Sequence, residues 1–148
     1  MDFEWTEHHT VAEACKRVPR GTACLLSALN FHDMGTQNAP SVFLALDPKI
    51  TKPLVERPRL GIVRFSGVAL TTGVEKHLIE GVSIRAYSVA KTVADCFKYR
   101  YKIGLNVALE APQVVLKGFK GTIDEFMRCA KACRVQNVML PYVQAMTV

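Results

Sequence analysis

Three lysines and an aspartate recur at helical spacing in the middle of this chain: Lys91, Asp95, Lys98 and Lys102. A row of cations can meet phosphate or an acidic protein surface, and aromatic rings among them can stack bases. Residues 97–102 read FKYRYK, so Phe97, Tyr99 and Tyr101 interleave with Lys98, Arg100 and Lys102. Arg85, at the end of the preceding segment, can join them. The same pattern also suits an ordinary solvated helix face, with Asp95 held between lysines at i−4 and i+3.

Other chemistries find less support. Nucleophilic catalysis needs a Ser or Cys beside a His and an orienting acid. The four histidines are His8 and His9 in a polar leader, His32 at a predicted helix end and His77 on a predicted strand, and no G-x-S-x-G occurs. A metal nuclease needs clustered acids and a lysine at a strand end. Glu110 stands alone on a predicted helix, and Glu75, Lys76 and His77 beside a loop are the nearest group. No P-loop or dinucleotide fingerprint is present. The cysteines at 15, 24, 96, 129 and 133 are odd in number, form no C-x-x-C pair and have mainly apolar neighbours. Such thiols behave as small buried hydrophobes in a reducing compartment. Cys129 and Cys133 share a helix face, but no histidine lies near them in sequence to complete a metal site. The reading therefore assigns no catalytic residue, no metal ligand and no cofactor.

The elements that must position these residues follow from periodicity. With 148 residues, 49% hydrophobic and 22% charged, the chain is expected to fold as one domain with a sizeable core. No apolar run is long enough for a membrane span. The polar start MDFEWTEHHT lacks the order of a secretory signal, so a cytoplasmic location is expected. The net charge of +6 permits an acidic partner without requiring one.

Residues 9–18 suit a short helix ending before Pro19. A second is expected from Gly21-Thr22 to Gly35. Residues 42–46, VFLAL, fit a central strand, and the proline-rich, charged stretch 47–59 reads as an exposed connection. A strand follows near 60–65, and residues 75–87 form a hairpin turning about Gly81. After Tyr87 the period changes from two to 3.6. Ser88 is placed as an N-cap. Ala90, Val93, Ala94, Phe97 and Tyr101 form the apolar stripe of a helix running to Gly104. Lys91, Asp95, Lys98 and Lys102 gather on the opposite face, with Thr92 and Tyr99 at its edge, and Arg100 lies apart near Cys96. The FKYRYK alternation is thus a coincidence at the end of an amphipathic helix. More helix is expected over 105–111, briefly after Pro112, over 122–135 with Thr122 as N-cap, and in NVMLPYVQAM. The expected fold is α+β: two N-terminal helices, a roughly four-stranded, mainly antiparallel sheet, then three or four C-terminal helices.

The stretches CLLSALNFHDMGTQ, VFLAL, VRFSG, GVSIRAYSVAKTVADCFKYRYKIGLNVALEA and CRVQNVMLPYVQAM together resemble the antitoxin domain of the AbiEi type. The resemblance covers roughly residues 10 to 146 and is most specific from Tyr87 to Ala111. It implies a type IV toxin–antitoxin system of abortive phage resistance and viral defence in bacteria. The toxin there is a nucleotidyltransferase, and the antitoxin counteracts it without being an enzyme. Arg85, Tyr87, Ser88, Lys91, Thr92, Asp95, Phe97 and Arg100 fall on the family's signature helix and the strand leading into it. Family members usually begin with a winged helix-turn-helix. Nothing in MDFEWTEHHT can form a recognition helix, so this chain is expected to bind DNA only weakly.

The resulting expectation is a binding domain that counteracts a toxin. Its binding residues are Arg85, Lys91, Asp95, Lys98, Arg100 and Lys102, and its partner is the toxin or the toxin's nucleic-acid or nucleotide substrate. A DNA-binding regulator of the same operon is the alternative, and a nuclease-like enzyme the second alternative.

Overall fold

A computed structural model describes residues 9–33, 41–100 and 123–147. In chain order the elements are α1 (His9–Arg17), β1 (Thr22–Ala23), α2 (Leu25–Phe31), β2 (Val42–Leu46), β3 (Leu60–Arg64), α3 (Val68–Thr71), β4 (Val74–Ile79), β5 (Val82–Tyr87), α4 (Val89–Lys98), α5 (Ile123–Ala132) and α6 (Gln136–Thr147). Among the described residues no helix is long and apolar enough to cross a membrane.

Alternation along the strands divides the core in two. Val42, Leu44 and Leu46 of β2 join one apolar cluster, while Phe43 and Ala45 join the other. In β5, Ile84 and Ala86 join the first cluster and Tyr87 the second. Ala12, Ala14 and Cys15 of α1 cover the first side of the sheet. The second side is covered by α2, α4, α5 and α6, through Leu25, Leu29, Val93, Phe97, Phe126 and Met139.

The fold is α+β, as periodicity predicts, but the sheet differs from the expected one. Among the described residues it has five strands in the order β3-β2-β1-β5-β4. The β1–β2 and β4–β5 pairs are antiparallel, whereas β1–β5 and β2–β3 are parallel. The extra strand is β1, two residues long, which lies where a helix was expected to begin. Two residues carry no period, so only the neighbours on both sides identify it as a strand. From β1 the chain turns through Cys24, whose backbone is extended, and Leu25 at φ 50° into α2. This helix ends at His32, and the expected stop at Gly35 lies outside the described residues. After Gly67, Val68–Thr71 forms the single helical turn α3.

Most other boundaries match the sequence reading. The connection 47–59 is largely exposed and is pinned by Arg64, whose Nη1 donates to the carbonyls of Asp47 at 2.9 Å and Ile50 at 2.6 Å. The hairpin turns at Glu80 and Gly81, both at positive φ (52° and 78°), as a two-residue turn that matches strand twist requires. Asp124 and Glu125 sit in the first turn of α5, where the helix dipole favours acids. That helix closes with Arg134 at φ 62°, the Val135 N–H bonding the Ala130 carbonyl and the Arg134 N–H that of Lys131. This is a Schellman cap with arginine in the usual glycine place. The helices expected over 105–111 and after Pro112, together with Tyr101, Lys102, Gly104 and Thr122, lie outside the described residues.

Candidate functional site

The helix α4 is positioned from its first residue. Ser88 is extended, and its Oγ accepts from the Lys91 N–H at 3.3 Å, the cap predicted from sequence. The Ser88 N–H donates to the Gly73 carbonyl at 2.7 Å, which ties the start of α4 to the start of β4. Gly73 has φ +76°, and a Cβ there would stand 2.7 Å from Lys91 Cβ and 2.9 Å from Ser88 Oγ. The chain is therefore pressed against the first turn of α4.

Four residues apart on this helix, Lys91 and Asp95 form an ion pair. Lys91 Nζ donates to both carboxylate oxygens, at 2.8 and 2.7 Å. It also lies 3.9 Å from the centre of the Tyr87 ring and 4.6 Å from that of Phe65. Cys133, just beyond α5, donates its S–H to Asp95 Oδ1 at 3.2 Å. The side chains of Lys91 and Asp95 are 0% and 1% exposed. This corrects the expectation of a solvated basic face. Lys91, Asp95 and Thr92 are interior, because α2, α5 and α6 all pack on α4 and every residue from Ala90 to Phe97 is buried. A helical wheel finds the apolar stripe but does not count the neighbours that surround it.

Burial sets the ionisation of the group. It raises the Asp95 carboxyl above its ordinary value, with the charge and hydrogen bond of Lys91 pulling the other way. Burial, and then the Asp95 charge, push the Cys133 thiol up to about 12. Cys96 and Tyr87 are raised by the same two causes, and the Tyr87 hydroxyl donates to the Leu70 carbonyl at 2.6 Å. Burial pushes Cys15 up to about 11. All five thiols are free and buried, in line with their apolar flanks, and at neutral pH they are poor nucleophiles. Among the described residues no group of three or more His, Cys, Asp or Glu is placed to hold a metal ion.

The remaining predicted residues do not converge on this pair. Phe97 is fully buried and Lys98 exposed, as the helix phase predicts. Arg100 is half-buried, with Nη1 donating to the Phe97 carbonyl at 2.8 Å, so it serves the end of the helix. Arg85 is exposed on β5, directly opposite exposed Lys76 of β4. Lys102 lies outside the described residues. Beside α4 a cleft of about 360 Å³ is lined by Gly73, Glu75, Ser88, Glu125, Arg128 and Cys129 among others, and it presents two carboxylates and one guanidinium.

A scan against protein-family models and a search of curated proteins find no match to this chain.

Sequence reasoning missed Phe65, Tyr87, Gly73 and Cys133 as parts of one cluster. The polar side chains of residues 89–97, Lys91, Thr92 and Asp95, share one helix face, so the segment reads as amphipathic and gives no sign that this face is covered. The distant partners left no mark either, since Cys133 is separated from Asp95 by 38 residues.

Proposed function

We propose that this chain is a non-enzymatic, antitoxin-type domain that counteracts a nucleotidyltransferase toxin in a bacterial abortive-infection system. The resemblance to AbiEi-type antitoxins supplies the setting. The observation that carries the binding half of the reading is the sealing of Lys91 and Asp95 inside the core. The charged residues at the heart of the signature helix are paired with each other and screened by two rings, so they act as scaffold and meet no substrate. Partner recognition then falls to exposed side chains, of which Arg85 and Lys98 are the predicted ones.

The test is rescue of growth in cells expressing a nucleotidyltransferase toxin of an abortive-infection system. The unmodified chain is expected to restore growth. The double variant Arg85→Glu, Lys98→Glu is expected to melt normally, because both side chains are exposed, and to lose rescue. Failure of the unmodified chain to rescue would overturn the antitoxin reading. Full rescue by a normally melting double variant would remove these two cations from it.

A further inference from the structure

Among the described residues β4 is the last strand of the sheet. The register identifies which of its backbone groups face away from β5. The Ser88 N–H bonds the Gly73 carbonyl one step beyond the Val74↔Tyr87 pair. Hydrogen-bonded and non-hydrogen-bonded pairs alternate along an antiparallel ladder. Glu75, His77 and Ile79 therefore direct their N–H and C=O groups to β5, and Val74, Lys76 and Leu78 turn theirs outward. Among the described residues no backbone partner meets the outward groups of Lys76 and Leu78.

The side chains of these same residues lie together on one face. Lys76 stands directly opposite Arg85, and Leu78 opposite Ser83. Both cations are exposed, and Leu78 is 75% exposed. Like charges directly opposite each other weaken a hairpin. A lysine on an edge strand guards against unwanted pairing, but one charge suffices for that, and an exposed leucine two residues on works against it. An acid placed between the two cations would relieve the repulsion.

We propose that the β4 edge docks an extended acidic and apolar segment of a protein partner, added as a sixth strand. Its backbone pairs with the outward groups of Lys76 and Leu78. A carboxylate lies beside Lys76 and Arg85, and an apolar side chain two residues away covers Leu78, since alternate residues share a face. A nucleic acid would satisfy the cations but offers no strand for the outward N–H and C=O groups and nothing apolar for Leu78. A second copy of the chain would bring two positively charged molecules, each at +6, edge to edge. The inference rests on the binding reading above and deepens it by giving the partner's chemistry.

Fluorescence anisotropy of the full chain tests it, with a labelled peptide of the repeat Thr-Asp-Thr-Val as probe. The acidic peptide is expected to bind more weakly as salt rises. A peptide with lysine for aspartate, and one N-methylated on the pairing backbone positions, are expected to bind roughly tenfold more weakly or not at all. The variant Lys76→Glu, Arg85→Glu should reverse the preference toward the lysine peptide. Leu78→Pro should lose the acidic peptide while keeping the β4–β5 ladder, since it removes an outward N–H. Equal binding of the acidic and lysine peptides, or unchanged binding of the N-methylated one, overturns the inference, as does no binding at all. Displacement of the acidic peptide by a short DNA duplex at physiological salt would make the surface a phosphate site instead. Rescue from the toxin without peptide binding sinks this inference alone, and peptide binding without rescue sinks the antitoxin reading alone.

Discussion

Lys91 holds its ammonium group between two aromatic rings and two carboxylate oxygens, out of contact with water. Removing an ion from water costs several kcal/mol, which a good partner offsets but rarely exceeds. The contacts of Tyr87 and Phe65 add roughly 0.5–2 kcal/mol where the cation is desolvated. The pair therefore contributes most through what its breakage would leave behind. Lys91→Met is expected to cost about 3–5 kcal/mol, because it strands the Asp95 carboxylate in the core. The double change Lys91→Met, Asp95→Leu should recover most of that loss, since two apolar side chains leave no buried charge. Lys98→Ala should stay within about 0.5 kcal/mol as an exposed control. Denaturant midpoints of the three variants decide the matter. A double variant no more stable than the single one would show that packing, and not charge pairing, sets the cost. Reversing Lys91 to glutamate, a natural test of a basic face, would instead test folding.

At the scale of elements, the contact between the start of β4 and the first turn of α4 orients that helix. Gly73 and Gly81 allow its tightness to be measured. Both have strongly positive φ, +76° and +78°, but a Cβ at Gly81 meets nothing within 4 Å while one at Gly73 meets Lys91 and Ser88. Gly81→Ala is expected to cost about 1–2 kcal/mol, the conformational penalty alone. Gly73→Ala carries the same penalty plus overpacking of roughly 1–3 kcal/mol. Urea titration of both variants provides the comparison. Equal losses would mean that α4 can shift away from β4 at little cost, and the Ser88–Gly73 junction would not be what holds it. The β4–β5 hairpin is thus locked to the helix at its open end, while Lys76, Arg85 and Leu78 along its middle are exposed to solvent.

For the whole molecule, the balance of charge predicts how nucleic acid is met. The net charge is +6, yet Lys91 is neutralised internally, and Lys76, Arg85 and Lys98 are exposed on different elements. A few phosphate contacts give association without base readout, and each neutralised phosphate steepens the log–log salt dependence by about one unit. This chain is accordingly expected to bind duplex DNA weakly and without sequence preference, losing affinity sharply as salt rises. Anisotropy titrations with its own promoter and a scrambled duplex at several salt concentrations test this. Tight, promoter-selective binding at physiological salt would favour the transcriptional regulator over the antitoxin.

Much of the local structure was legible in the residues themselves. The apolar run VFLAL marked a central strand, and Gly81 marked the turn of the hairpin. Ser88 announced the start of α4, and the 3.6-residue phase put Phe97 inside and Lys98 outside. These features depend on interactions within a few residues, so spacing encodes them. Three others do not. β1 is two residues long and becomes a strand only because β2 and β5 flank it, and its parallel pairing with β5, with that of β2 and β3, makes the sheet mixed. Lys91 and Asp95 were read as solvated because i and i+4 charges commonly are, and they became interior once Phe65, Tyr87 and Cys133 closed over them. The exposed Lys76–Arg85 pair arose from hairpin register. A sequence determines the period and phase of each element, but how many neighbours surround an element is decided only when the whole chain packs, because burial is a property of all the elements together.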